Sequence, residues 1–487
     1  MKWHMADQSP DKQIPEASAG GLRSVRQRIL HSLGANASLR RQLMTAAAGS
    51  LVLALSSKLL MLLTSVLLAR WMGAENYGVY VTAMALVFLL AAPTGLGLPA
   101  LMIRLLVSYQ VQQQWGLMRG FLIRSNQAVL CASLLMAAIA ASVIWLLSSH
   151  FSPDKITTFS LALILIPMIV LGVMRSAALR GLHHVILGQL SESVIMPALF
   201  LGLASAWWMV NADGALSPQM AIAARVIATG AAFLVGALLL IRRIPVPVRH
   251  AAPQYDLRGW TRSALPLLFI AGISIIMTQT DVLMLAALRG SESAGVYQAA
   301  TRGAELVAFS LVIVNLAIQP SIARLFASGD MIRLQRMATL GARAAVAAAL
   351  PLALVMIFWG EPLMQSVFGE AFGRGAIALA ILSGAQVINA ATGSVNDLLN
   401  MTGHERDTMK GMIVGVVANV MLNFLLIPMW DITGAALATG ASLILWNIFL
   451  VIQVHRRIGL AATAIGPFSF LKSKHSVGSG VESKRRK

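Results

Sequence analysis

The sequence predicts an all-α polytopic membrane protein, with about twelve transmembrane helices in two six-helix lobes related by a parallel internal repeat. Three observations carry that prediction: a charge deficit, a succession of apolar runs of bilayer length, and a motif that recurs at a fixed offset. Of 487 residues, 57% are hydrophobic and 12% are charged, with a mean hydropathy of +0.75. A soluble domain carries about 25% charged residues. The deficit excludes an ordinary soluble enzyme, and the apolarity is the reverse of the disorder signature. The single cysteine, Cys131, excludes an intramolecular disulfide and a cysteine-ligated metal centre.

The chain opens with a basic tail, 1–41, that includes Arg23, Arg26 and Arg28 and has no signal-peptide pattern. Six apolar runs follow, at 42–69, 78–103, 121–148, 156–178, 185–210 and 218–241, and make a first lobe over 42–243. Each offers about the 20 residues that a helix needs to cross the hydrocarbon core. The Pro- and Arg-bearing stretch 244–260 is the expected linker to a second lobe, 261–456. Its runs lie at 263–288, 296–323, 338–359, 375–401, 408–429 and 433–455, and a basic tail, 457–487, closes the chain. Long continuous runs read as helices, because a spanning barrel would show short alternating strands. Pro93, Gly95, Gly97, Pro99, Pro167, Pro197 and Pro320 are expected to bend helices. Segment 106–118, with Gln112 to Trp115, reads as an interfacial connector.

Charge orients the runs. Of 38 Lys and Arg residues, 31 fall in the two tails and the alternate loops that share their side, four in the opposite loops and three inside helices. The positive-inside rule then places both termini in the cytoplasm. The formal charge of +19 describes loops facing anionic lipid, and no nucleic-acid partner is needed to explain it.

The repeat is legible in Gly73-Ala-Glu75-Asn-Tyr77-Gly78-Val79-Tyr80 and Gly290-Ser-Glu292-Ser-Ala-Gly295-Val296-Tyr297, five of eight positions being identical at an offset of 217. Pro99 to Arg104 echoes Pro320 to Arg324, and Arg180-Gly181-Leu-His183 faces Thr402-Gly403-His404. Six helices between copies give both the same topology, an arrangement of transporters that bind between their lobes.

Charges inside the runs are the functional signal. A Lys or Arg at a helix centre costs roughly 2.5–3.5 kcal/mol, while each Leu returns only about 0.3–0.6. Lys58, mid-run and without an acid three or four residues away, is expected to line a water-filled cavity. Arg302 and Glu305 lie i, i+3 on the eighth run with Gln298 on the same face, and either neutralise each other or meet substrate. Ser274, Thr278 and Asp281 form a polar stripe on the seventh, where Asp281 is a structural acceptor or an ion-coupling site. Gln386, Asn389, Asn396 and Asp397 share a face of the tenth, with Asp397 near its cytoplasmic end as an interfacial group or a second ion-coupling candidate. Arg225 is expected to snorkel and Glu192 to be interfacial. Arg104 and Arg324 end their helices on the cytoplasmic side, as interfacial anchors or as first contacts for a phosphate headgroup.

The stretch Arg70-Trp-Met-Gly73-Ala-Glu-Asn-Tyr77-Gly78-Val-Tyr80, with Gly95-Leu-Gly97-Leu-Pro99 and Arg104, resembles the start of the Wzx-type lipid-linked oligosaccharide flippases of the multidrug/oligosaccharidyl-lipid/polysaccharide (MOP) superfamily. Thr280-Asp281 followed by Gly295-Val-Tyr297 is similar to that family's second-half signature. The resemblance spans about 42–455 and implies a bacterial inner-membrane flippase. Such a protein moves polyprenyl-pyrophosphate-linked oligosaccharide outward by alternating access through a cationic cavity. Its implied partners are that substrate, membrane lipids and other polysaccharide-assembly membrane proteins; a monomer is expected because a two-lobed transporter can work alone. No cofactor is implied. No phosphate-cradling GxxxxGK[ST], HExxH or GxSxG occurs, so neither ATP-driven transport nor enzyme activity is expected of this chain. The alternatives are an extrusion antiporter for cationic drugs in the same superfamily, or a membrane polymerase or ligase. The latter is disfavoured because the longest outer loop, Gly360 to Arg374, is short.

Overall fold

The computed structural model describes residues 19–150, 152–210 and 215–466, with side chains from Val52 onward except at His150 and Pro320. Contacts divide the chain into two units, residues 1–52 and 53–487, and the packed helical core formed by the described residues lies in the second. Of the two basic tails, 1–18 and 467–487 lie outside the described residues, while 19–41 is helical and begins α1.

All regular structure among the described residues is helical, and the chain is an all-α polytopic membrane protein. In order come α1 (Ala19–Thr94), α2 (Leu98–Val111), α3 (Trp115–Leu146), α4 (Pro153–Leu163), α5 (Leu165–Gly181) and α6 (Val185–Leu190). A π-helical turn, Ser191–Ile195, leads into α7 (Met196–Val210), followed by α8 (Pro218–Arg243) and a short α9 (Val246–His250). The remainder is α10 (Leu257–Arg289), α11 (Ser291–Ala327), α12 (Met331–Phe358), α13 (Gly360–Phe368), α14 (Ala376–Thr392), α15 (Val395–Met401) and α16 (Glu405–Ile458).

Ten of these helices, taking those that continue one another as single spans, are long and apolar enough to cross a membrane. Two carry one non-helical residue each: Gly73 in α1 (φ 73°, ψ 172°) and Asp431 in α16 (φ 51°, ψ −126°). Neither conformation propagates a helix, so the axis breaks at both. The second apolar run breaks too, because Leu96 (φ 52°) and Gly97 (φ 68°) are left-handed. Gly97 is required there: a Cβ would lie 2.5 Å from the backbone nitrogen of Leu268 and against the carbonyl of Ala264. The proposed connector 106–118 shrinks to Gln112–Gln114, since α2 continues to Val111 and α3 starts at Trp115. The tenth run is likewise two helices, parted at Gly393 (φ 72°).

The two copies of the repeated motif meet. Gly73 and Gly290 (φ 95°, ψ 169°) share one backbone conformation and start equivalent helical segments. A Cβ on Gly78 would overlap the carbonyl of Ser291, and one on Gly295 would lie 2.5 Å from the carbonyl oxygen of Ala74. Ala74 and Ser291 are themselves 217 residues apart, so the contact is reciprocal. Around this crossing Tyr77 sets its ring edge-on to Phe372 at 6.1 Å. Arg70 donates from Nε to the Val367 carbonyl at 2.7 Å and also to that of Ser366. It thereby places a cation at the C-terminal, negative end of α13.

The stretch between α8 and α10 is held against α3. Arg119 donates to the carbonyls of Arg249 and Ala251, both at 2.8 Å, and the Gln254 backbone N–H donates to Gly116 at 2.9 Å. Asp256 caps α10 by accepting from the Gly259 backbone N–H at 3.0 Å.

Candidate substrate cavity

A cavity of about 490 Å³ lies between α1, the π-turn and α7, α8, α10 and α11. It is walled by apolar and aromatic groups such as Met61, Tyr77 and Phe200, and by four charged residues: Glu192, Arg225, Arg302 and Glu305. Three expected residues come together on the α11 face. The Arg302 guanidinium pairs with Glu305 at 2.6 Å. The Gln298 amide, with its oxygen turned to Arg302, accepts at 2.7 and 3.0 Å. Lys58 joins from α1, its ammonium 3.1 Å from the other Glu305 oxygen. A carboxylate thus bridges a cation of its own helix and one 247 residues away. Lys58 is half-exposed and is not itself among the lining residues, reaching the cavity through Glu305, whereas Arg302 lines it and is only 21% exposed.

The opposing wall corrects two expectations. Glu192 is not an interfacial group, and Arg225 does not merely snorkel; both line the cavity. Arg225 donates to the Tyr80 hydroxyl at 3.3 Å and stacks its guanidinium 5.2 Å from the Phe200 ring, while its buried Nε has no partner among the described residues. Glu192 is paired from behind by Arg175, at 2.9 Å. Arg175 itself is buried, donates to the Phe233 carbonyl at 2.5 Å and lies 4.9 Å from the Phe233 ring. Two glycines make room: a Cβ on Gly236 would strike the Arg175 guanidinium, and one on Gly172 would come within 2.6 Å of a Glu192 oxygen. The π-turn aims Glu192. Pro197 has no N–H to donate to residue 193, so the α-helical ladder lapses there and an i→i+5 turn rotates the following face.

Two cations and two carboxylates line the cavity, and Lys58 and Arg175 pair those carboxylates from outside the lining, so the Arg225 guanidinium keeps donors that no carboxylate takes up among the described residues. Such surplus donors in a walled cavity suit an anionic, multidentate acceptor of the phosphate type.

The sequence profile of the polysaccharide biosynthesis protein family matches residues 46–326, more than half of the chain and all of this cavity. The chain belongs to that family. A second profile, MatE, matches residues 266–425 of this polysaccharide biosynthesis protein. The chain is 23% identical over 197 residues to the probable flippase AglR of Haloferax volcanii, an alignment spanning 40% of each protein. Among solved structures, the fold is similar to an inward-facing multidrug resistance MATE family transporter of the MOP superfamily. That match has a TM-score of 0.66 and 13% identity, and covers 83% of this chain and 94% of the other. It is also similar to the lipid II flippase MurJ in an inward closed conformation, with a TM-score of 0.64, 14% identity and coverage of 83% and 87%.

The other expected residues of this family member lie apart from the cavity. Asp281 is buried and accepts from Tyr297 (2.8 Å), Thr439 (2.6 Å), Asn419 (3.0 Å) and Asn423 (2.6 Å). No ion pair satisfies it among the described residues. Its stripe therefore divides, Thr278 lining the cavity while Asp281 serves this cluster. Asp397 is buried and accepts from Gln319 at 3.0 Å. Arg104 on α2 and Arg324 on α11 are exposed, and neither lines the cavity.

Proposed function

We propose that this chain is a flippase that moves a polyprenyl-diphosphate-linked oligosaccharide across the bacterial inner membrane by alternating access. The guanidinium donors left in the cavity once Lys58 and Arg175 have paired its two carboxylates carry the reading. A diphosphate is met by Arg302, Lys58 and Arg225, the glycan fills the remaining volume, and the polyprenyl tail stays in lipid. Beyond the Lys58–Glu305 pair, Leu55 and Leu59 on α1 and Ile313 and Leu316 on α11 are exposed, which supports lateral access for a lipid between these helices. Arg104 and Arg324 are assigned the first contact with the headgroup at the cytoplasmic surface. The names of AglR and MurJ support a lipid-linked cargo. A cationic drug is the poorer fit, since the same donors would repel it. The chain is read as a monomeric transporter without enzyme activity. Its twelve crossings are formed by breaking α1 and α16, its halves are 42–243 and 261–456, and both termini are cytoplasmic.

The test is made in cells deleted for the gene. Mass spectrometry of their membrane lipids is expected to find an accumulated polyprenyl-diphosphate glycan while the surface polymer disappears. The wild-type gene reverses both changes, and a Lys58→Ala copy does not. Intact surface glycan without accumulation counts against the proposal.

Asp281 is assigned the coupling ion. A buried carboxylate with four neutral donors and no cation has the charge of a site for a small cation or proton, and Asn419, Asn423 and Thr439 bring oxygens beside it. Asp281→Asn is expected to leave folding intact, because an amide replaces the carboxylate within the same hydrogen-bonded ring. It should abolish the dependence of transport in vesicles on an imposed ion gradient. A gradient response equal to wild type removes Asp281 from coupling.

A further inference from the structure

A second groove, of about 230 Å³, shares no residue with the substrate cavity. One wall is a face of α3, with Phe121, Arg124, Ser125 and Ala128 one turn apart, and the other is a face of α10 from Leu257 to Leu268. Leu96 and Leu98, at the break between α1 and α2, close its inner end. The walls are apolar apart from Ser125 and Thr261, whose hydroxyls donate to carbonyls of their own helices, and Arg124 at one end. Its guanidinium lies 5.1 Å from the Tyr255 ring and donates to Gln127 at 3.1 Å. Among the described residues no carboxylate pairs with Arg124 or with the neighbouring Arg258 and Arg262. The nearby Arg119 is engaged by backbone carbonyls, and Asp256 is used as a helix cap. The polar groups of the floor are satisfied: Trp260 donates its indole N–H to the Tyr109 hydroxyl at 2.8 Å.

Length decides what such a groove can hold. From Leu257 to Leu268 the helix advances roughly 16 Å at 1.5 Å per residue, about half of the ~30 Å hydrocarbon core. The groove therefore begins at the basic rim and runs the depth of one leaflet. We propose that it is a binding site for an anionic phospholipid of the cytoplasmic leaflet, with the phosphate on Arg124 and one acyl chain between α3 and α10. The unpaired basic cluster at the mouth selects anionic over zwitterionic headgroups. The planar guanidinium held on Tyr255 is ordered for a phosphate. A substrate tail is not the occupant argued for, since the cavity that would hold its diphosphate shares no lining residue with this groove and meets α10 at Thr278 and Gln279, ten residues beyond Leu268. The proposal stands independently of the transported cargo.

The test uses the full chain, purified in detergent and examined by native mass spectrometry with phosphatidylglycerol or phosphatidylcholine added. Wild type is expected to retain phosphatidylglycerol about tenfold better, a preference worth ~1.4 kcal/mol. Arg124→Gln removes that preference and Arg124→Lys keeps most of it. Ala128→Phe, which fills the groove from an exposed position, lowers retention of both lipids. Equal retention by wild type and Arg124→Gln overturns the headgroup assignment, and undiminished retention by a folded Ala128→Phe protein overturns the groove. Polyprenyl phosphate displacing phosphatidylglycerol at lower concentration would assign the groove to the substrate tail instead and overturn the phospholipid.

Discussion

Lys58→Glu abolishes glycan export, and the double exchange Lys58→Glu with Glu305→Lys restores the fold without restoring export: that is the result expected if Lys58 meets substrate. The magnitudes separate this from a purely structural role. An ion pair with a half-exposed partner, such as Lys58–Glu305, is worth about 0.2–1 kcal/mol in double-mutant cycles, at most a roughly fivefold effect on any equilibrium. A hydrogen bond to a charged group is worth about 1.5–3 kcal/mol, and loss of a phosphate contact should slow transport roughly tenfold or more. The exchange keeps one cation and one carboxylate at the site and repairs the pair. It moves the positive charge from the α1 rim onto α11 beside Arg302, where the two cations adjoin. Thermal stability of the purified protein reads the first effect, and accumulation of lipid-linked glycan reads the second. Recovery of export in the double variant would make the pair structural.

Gly78→Val is expected to open the crossing between the two motif copies. The added side chain meets the backbone carbonyl of Ser291, which cannot turn aside as a side-chain end can. Overpacking of this kind costs about 1–3 kcal/mol. If the contact exists in only one arrangement of the transporter, that cost shifts the population between arrangements by roughly 5- to 150-fold. A cysteine at Gln298, in a Cys131→Ser background, reports it. Labelling by an impermeant thiol reagent from the face that carries Gly73 and Gly290 should rise in Gly78→Val and, by reciprocity, in Gly295→Val. Unchanged labelling in folded variants would show that the crossing is not a seal.

Much of this site is visible in the sequence for a simple reason. A charge in an apolar run is costly wherever it points, so Lys58, Arg302, Glu305 and Asp281 declare themselves by position alone. What they face is another matter. The partner of Lys58 is 247 residues distant, and no spacing rule reaches that far. Glu192 escapes such a reading because it stands in a π-turn, whose spacing a helical wheel drawn at 3.6 residues per turn does not follow. Arg175 lies close enough to the loop of Arg180 to pass for a loop cation, though it is buried within α5. The small residues opposite these groups, Gly172 and Gly236, are the available signal, since cavities for large side chains are cut by glycines. Helix breaks are legible where Pro and Gly cluster, as at Pro93–Pro99. At Asp431 the break falls in the gap the sequence leaves between 408–429 and 433–455, although no sequence rule requires that residue's own conformation.

The clamp of Arg119 and Gly116 on residues 249–254 changes what the connector can do mechanically. Seventeen extended residues would be a tether, letting the two parts drift by tens of ångströms at about 3.3–3.6 Å per residue. With 249–254 fastened to α3 and Asp256 already part of the cap of α10, only the bonds around Tyr255 stay unfastened. A joint that short is a pivot: it permits rotation of α10 against α3 and forbids separation. It also stands beside the mouth of the groove at Arg124, so whatever fills that groove sits at the fulcrum.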